Sequence, residues 1–195
     1  MKPSEFQRAS TPICLVFMGL GLSLICLRYT RTDFAWEADQ LLIRETGILA
    51  FVLFVGSFLC TPAGRFIQAL GHPPPPLAPW RRSLGLASTL AALCHLGVLL
   101  RLHIGDTPVF GPWFQPYAQA GAAALLLLMI LSLSSFPKLT RFTKIRHWKT
   151  LHRVVFVVFL LLLIHVLFGP HLPSQPTIIG GVILLIISAL GRLNP

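Results

Sequence analysis

The sequence predicts an all-α protein, a polytopic membrane helical bundle of six transmembrane helices with both termini in the cytoplasm. Of its 195 residues, 54% are hydrophobic and only 11% are charged, and the mean hydropathy is +0.75. This composition excludes an ordinary soluble domain. The apolar residues also form long separate runs, and basic residues lie between these runs, which gives both the number of spans and their direction.

Six apolar segments supply the predicted spans. They cover residues 13–27, 46–60, 84–100, 118–133, 151–168 and 178–190. Several are shorter than the ~20 residues that cross a bilayer, so we expect flanking residues to add helical turns. The longest predicted connection, residues 61–83, is too short for a soluble domain. Residues 1–195 are therefore predicted to form a single membrane domain, with no evident internal repeat.

The basic residues set the orientation. Twelve of the 16 lysines and arginines fall on one side of a six-span arrangement, near both termini and in the second and fourth connections. The other side holds most of the acidic residues. The positive-inside rule therefore places both termini in the cytoplasm. The net charge of +10 reports this orientation, because the basic residues are not mixed with aromatic residues as on a nucleic-acid-binding face.

Three of the seven histidines lie within predicted spans. His95 is in the third segment, and His152 and His165 are in the fifth. An imidazole in hydrocarbon is costly unless it is paired or coordinated, so these three are candidate functional residues. The alternative is that each is hydrogen-bonded to a neighbouring helix. The other four are expected to be solvated or interfacial: His72, His103, His147 and His171.

His95 and His165 are predicted to meet. Both segments run from the cytoplasm outward, and both histidines lie about a dozen or more residues from the cytoplasmic end. We therefore expect them at a similar depth in the outer half of the bilayer. A flat macrocycle held from two helices needs one ligand on each of its faces at the same depth, and this pair satisfies that requirement.

The inner end has a single histidine, His152. Opposite it the third segment offers Arg81 or Arg82. Arg81 lies within about 40° of His95 on the helical wheel, whereas Arg82 lies about 140° away, so Arg81 is the better candidate to contact a bound cofactor there. His152 and His165 are 13 residues apart and share a face only if a π-bulge or supercoiling realigns them.

Two imidazoles within a helix bundle indicate haem b, whose six-coordinate iron is suited to electron transfer. The sequence has no Cys-x-x-Cys-His motif for covalent haem. Zinc would need three or four close ligands, which these separated positions do not supply. A carboxylate proton relay is not expected, because no Asp or Glu falls clearly within a span and Glu45 is at an interface. Neither a P-loop nor a dinucleotide-binding glycine motif is present. The four cysteines all fall in apolar runs and are expected to be buried thiols.

Several motifs together resemble the ferric-reductase-like transmembrane domain over about residues 44–170, and within it the MsrQ type, the haem-binding membrane subunit of a bacterial methionine-sulfoxide reductase system. They are Thr-Gly at 46–47, Thr-Pro-Ala-Gly-Arg at 61–65, Arg-Arg-Ser at 81–83, Cys-His at 94–95, His-Trp-x-x-Leu-His at 147–152 and Ile-His at 164–165. The resemblance implies that His95, His152 and His165 ligate one or two haems b. Ferric reductases carry a further histidine near the position of Arg81, and its absence here leaves the second ligand of an inner haem open.

The resemblance also implies a route for electrons. They would come from a cytoplasmic flavin reductase with FMN, or from a membrane quinol, and cross the bacterial inner membrane to a periplasmic, molybdopterin-containing MsrP-like partner. Because no flavin or nucleotide domain fits in the sequence, we expect the donor to be a separate molecule. Two alternatives stay open: a stand-alone ferric or cupric reductase or other cytochrome b with a different acceptor, and a non-redox membrane protein whose histidines are structural.

Overall fold

Four helices make up most of the part of the chain that the structure describes. The computed structural model describes residues 19, 21–23, 35–72, 77–103, 114–136 and 153–169. Its helices are α1 (Ala35–Ala69), α2 (Ala78–His103), α3 (Pro116–Ser134) and α4 (Val155–Phe168). No strand occurs in these ranges. The first three helices are long and apolar enough to cross a membrane, and α4 is a shorter apolar helix.

The four helices coincide with the second to fifth predicted segments. The first predicted segment is described only at residues 19 and 21–23, and the sixth lies outside the described residues, so six spans and the side of the termini stay predictions. As expected, α1 and α2 extend beyond their apolar segments. The predicted 61–83 connection is wrong in extent, because α1 continues through Pro62 to Ala69. A proline removes only one N–H donor, and membrane helices tolerate that loss.

Helices that follow each other in the chain pack side by side and run antiparallel. α1 packs along α2, where the Ser88 hydroxyl donates a hydrogen bond of 2.9 Å to the Ala50 carbonyl. α2 contacts α3, where the hydroxyls of Thr89 and Ser132 are 2.7 Å apart. α3 in turn packs along α4. We call the end at which α1 and α3 begin, and α2 and α4 end, the histidine end.

Aromatic side chains join α4 back to α1 and close the four helices into a ring. The ring of Phe58 stacks on Phe159 at 5.0 Å between centroids and meets Phe156 edge-on at 5.4 Å. Phe54 also stacks on Phe159, at 6.2 Å. Offset-stacked and edge-on aromatic pairs of this kind stabilise a core by more than the burial of their apolar surface alone. The same core takes three residues from α3: Ala124, Leu128 and Leu131.

The outward faces of the helices are apolar and exposed, as in a multi-pass membrane protein. They include Ile48, Val52, Leu90, Leu126, Ile130 and Leu160. Such a surface is stable where lipid replaces water. The expectation of buried cysteines is wrong for Cys94, which is exposed on α2. Hydropathy identifies an apolar segment, but it does not separate the face toward lipid from the face toward the bundle.

Candidate functional site

The imidazole rings of His95 and His165 meet at the histidine end. His95 lies on α2 and His165 on α4, two helices on opposite sides of the ring. Their ring centroids are 6.4 Å apart, and the ring planes are inclined at 79°. The two histidines thus lie at one depth on facing helices, as the sequence predicts. Whether they hold haem iron stays a prediction at this point.

The tautomer of His95 follows from its hydrogen bonds. Nδ1 lies 3.0 Å from the carbonyl oxygen of Ile43 on α1. A carbonyl oxygen only accepts, so Nδ1 carries the proton and donates it. In the neutral ring Nε2 is then the unprotonated nitrogen, with its lone pair available to a metal. Nδ1 also lies 3.2 Å from the hydroxyl oxygen of Thr46, one turn further along α1.

His165 is held in the same way by the other helix pair. Its Nδ1 donates a hydrogen bond of 2.8 Å to the carbonyl oxygen of Tyr117, at the start of α3. The same reasoning leaves Nε2 of His165 unprotonated. The Tyr117 ring lies beside the imidazole, at 6.3 Å between centroids. Ligating histidines generally donate their second N–H to such an acceptor, which fixes the orientation of the ring.

Two glycines let the imidazoles approach the neighbouring helices. A Cβ atom at Gly47 would lie 3.2 Å from Cε1 of His95, and one at Gly121 would lie 2.6 Å from Nδ1 of His165. The second distance is shorter than any real Cβ contact, so His165 occupies space that only a glycine leaves open. Each ring therefore lies directly against the helix whose carbonyl it binds.

The two halves of the site share one pattern. In α1 the accepting carbonyl is at Ile43 and the glycine is at Gly47, and in α3 they are at Tyr117 and Gly121, so both glycines lie four residues after the carbonyl. This local repeat was missed from the sequence. The glycines are 48 residues before His95 and 44 before His165, so the repeat does not appear as a common spacing in the sequence.

The separation of the two imidazoles is compatible with one metal ion between them. Their ring centroids are 6.4 Å apart, and metal–nitrogen bonds to imidazole are about 2.0 Å long. Among the described residues no group of three or more histidine, cysteine or acidic side chains is placed to hold a metal, so the donor set does not suit zinc there.

The two arginines lie at the opposite end of α2. Nη1 of the half-buried Arg81 donates a hydrogen bond of 3.2 Å to the hydroxyl of Thr61 on α1. The guanidinium of Arg82 lies over the ring of Phe136, 5.7 Å from its centroid. Arg81 thus faces α1, as His95 does, which agrees with the predicted shared face. Neither arginine reaches the paired histidines. His152 lies outside the described residues, so its meeting with Arg81 stays a prediction.

These observations define the class: a multi-pass membrane helical bundle with two facing imidazoles available to one metal. The family model of the ferric reductase like transmembrane component matches residues 46–163. The chain belongs to this family. The matched range includes α2 and α3 entirely and lies within the 44–170 predicted from the motifs.

Three curated relatives carry the same description, protein-methionine-sulfoxide reductase heme-binding subunit MsrQ. The protein of Cronobacter sakazakii is 31% identical over 173 residues, which cover 84% of this chain and 84% of the relative. That of Salmonella arizonae is 29% identical over 187 residues, 91% of this chain and 89% of the relative. That of Deinococcus radiodurans is 30% identical over 152 residues, 75% and 70% respectively. No solved structure matches.

Proposed function

We propose that this protein is a haem b electron-transfer subunit of the bacterial inner membrane. It takes electrons from a cytoplasmic flavin reductase or a membrane quinol and delivers them to a periplasmic, molybdopterin-containing MsrP-like methionine-sulfoxide reductase. The observation that carries the proposal is the pair His95 and His165, whose Nδ1 protons are both donated to carbonyls and whose ring centroids are 6.4 Å apart. Membership of the ferric-reductase-like family and the MsrQ relatives support it.

In this proposal His95 and His165 are the two ligands of one haem. Haem b supplies, when bound, an iron that accepts and gives up single electrons without a change of ligands. The carbonyls of Ile43 and Tyr117 hold the two rings in the ligating tautomer. These contacts come from α1 and α3, whereas the histidines lie on α2 and α4. The ligands are therefore oriented before a metal binds, which lowers the cost of binding.

If the histidines were purely structural, only one of the two nitrogens of each ring would have a role. Hydrogen bonds to neighbouring helices do exist, as that reading expects, but they use Nδ1 alone. Each Nε2 of His95 and His165 then keeps a lone pair with no hydrogen-bond donor among the described residues. Within a membrane an acceptor without a donor is costly, so these two lone pairs favour a ligating role. One metal between the rings would use both of them.

The proposed direction of electron transfer follows from the predicted orientation of the helices in the membrane. The histidine end is the periplasmic end if both termini are cytoplasmic, and the end with Arg81 and Arg82 is then cytoplasmic. Electrons would enter at that inner end, where His152 and Arg81 are the candidates to hold a second haem. They would leave near His95 and His165, and residues 103–117 and 169–176 are the proposed contacts with the acceptor. FMN or a quinone is the proposed donor.

A stand-alone ferric or cupric reductase, or another cytochrome b with a different acceptor, is the second candidate. The family match supports it equally, because ferric reductases give the family model its name. Reduced protein in membrane vesicles separates the two candidates. Rapid reoxidation by a molybdopterin MsrP-like protein, and slow reoxidation by ferric or cupric chelates, would support the MsrQ-type function, and the opposite order would support the second candidate.

The direct test is haem per polypeptide, measured as the pyridine haemochrome in purified full-length protein. We expect His95→Ala and His165→Ala each to lose the same haem, and His152→Ala to affect a second one. His72→Ala is the control, because His72 is exposed between α1 and α2. Native protein without a Soret band would refute the haem proposal, and loss of different haems from His95→Ala and His165→Ala would refute the pairing.

A further inference from the structure

The two paired histidines are not held equally. Nδ1 of His95 has two hydrogen-bonding partners, the Ile43 carbonyl at 3.0 Å and the Thr46 hydroxyl at 3.2 Å. Nδ1 of His165 has one among the described residues, the Tyr117 carbonyl at 2.8 Å. Thr46 is only 3% exposed, so its hydroxyl is a fixed part of the site.

The direction of the bond between Thr46 and His95 follows from the neighbouring carbonyls. Nδ1 of His95 already carries its proton, since the Ile43 carbonyl can only accept. The Thr46 hydroxyl has carbonyl acceptors of its own on α1, at 2.8 Å (Leu42) and 3.1 Å (Ile43). Its proton therefore goes to a carbonyl, and its oxygen is left to accept from Nδ1. The N–H of His95 is thus shared between two acceptors.

We infer that Thr46 is a positioning residue that makes His95 more electron-donating than the Ile43 carbonyl alone would make it, and that it lowers the reduction potential of the iron that His95 and His165 would hold. An acceptor on Nδ1–H raises the basicity of the imidazole, and a more basic ligand favours the more highly charged, oxidised iron. The inference rests on the proposed function, because it concerns the haem held by His95 and His165.

The test compares Thr46→Val, which removes the hydroxyl at similar volume, with Thr46→Ser, which keeps it. Each full-length variant is titrated in detergent against redox dyes, following the haem that His165→Ala removes. We expect Thr46→Val to bind haem. At a fixed ambient potential its ratio of reduced to oxidised haem should be about threefold to tenfold higher than in the native protein, and a tenfold change corresponds to about 59 mV for a one-electron couple. Thr46→Ser should keep the native potential.

Thr89→Val is the matched control. Thr89 is also a buried helical threonine, 6% exposed, and its hydroxyl bonds the Gly85 carbonyl one turn back and the Ser132 hydroxyl, not a histidine. It should leave the potential unchanged while any general loss of packing appears in its thermal stability. A shift with Thr89→Val as large as that with Thr46→Val would overturn the inference.

The remaining outcomes are also decisive. A fully loaded Thr46→Val with the native potential, or a Thr46→Ser that shifts as far as Thr46→Val, would overturn the role of the hydroxyl. If Thr46→Val binds no haem, Thr46→Ala decides in the same way, because it removes the hydroxyl without a branched replacement. Native protein that binds no haem would instead refute the proposed function itself.

Discussion

His165 lies so close to Gly121 that a Cβ atom at the glycine would be 2.6 Å from Nδ1. Gly121→Ala must therefore displace the imidazole and break its hydrogen bond to the Tyr117 carbonyl. We expect most of the haem held by His165 to be lost. The helix itself should not suffer, because alanine is favoured over glycine within helices by about 1 kcal/mol. Haem per polypeptide measures the effect.

Gly97→Ala is the control for this prediction, because nothing outside the adjacent backbone of α2 lies within 4 Å of the added Cβ position. Gly47→Ala should fall between the two, since its added Cβ meets the His95 ring at 3.2 Å and a small shift of the ring relieves the contact. We expect haem content in the order Gly97→Ala, Gly47→Ala, Gly121→Ala. Full haem in Gly121→Ala would contradict the close approach of His165 to α3.

Phe159 stabilises the bundle where α4 meets α1. Its side chain is 0% exposed and stacks on Phe54 and Phe58. Phe159→Ala leaves a cavity, and such changes cost about 3–5 kcal/mol in soluble cores. We expect about 3 kcal/mol here, because the lost burial from water counts less in a lipid-surrounded protein. Thermal unfolding in detergent, followed by circular dichroism, measures it.

The matched control is Phe168→Ala, the same change on the same helix at a side chain that is 70% exposed. It should lower stability by less than about 1 kcal/mol, as exposed substitutions usually do. Equal loss of stability in the two variants would mean that the aromatic cluster is not the structural core of the bundle.

Substitutions of Arg81 and Arg82 should differ in their effect on the second haem, which is proposed to lie at the cytoplasmic end of the bundle. Arg81 faces α1 through Thr61, whereas Arg82 lies over Phe136 at the end of α3. If Arg81 is the group opposite His152, Arg81→Ala lowers the content of the second haem and Arg82→Ala does not. Thr61→Val is a further control, because it removes the hydrogen bond to Arg81 but leaves the charge. Equal haem loss in both arginine variants would contradict the assignment.

The helices and the meeting of His95 with His165 were predictable, because hydropathy and helical rise depend only on local sequence. The same arithmetic placed Arg81 on the face of His95. It did not find Thr46, Gly47 or Gly121 as parts of the site, since their roles arise from contacts between helices 44 to 49 residues apart in sequence. Spacing along one helix says which residues share a face, but it does not say which neighbouring helix that face meets.

The direction of electron flow depends on which end of the bundle faces the cytoplasm, and two exposed positions test it. His72 follows α1, and Phe114 precedes α3 with 72% of its side chain exposed. Among the described residues between them, α2 is the one candidate membrane span, so they lie on opposite sides if α2 crosses the bilayer. In a cysteine-free background, a membrane-impermeant maleimide applied to spheroplasts should label Phe114→Cys, and label His72→Cys only after permeabilisation. The reverse pattern would place the histidine end in the cytoplasm and contradict delivery to a periplasmic partner, and labelling of both from outside would show that α2 does not span.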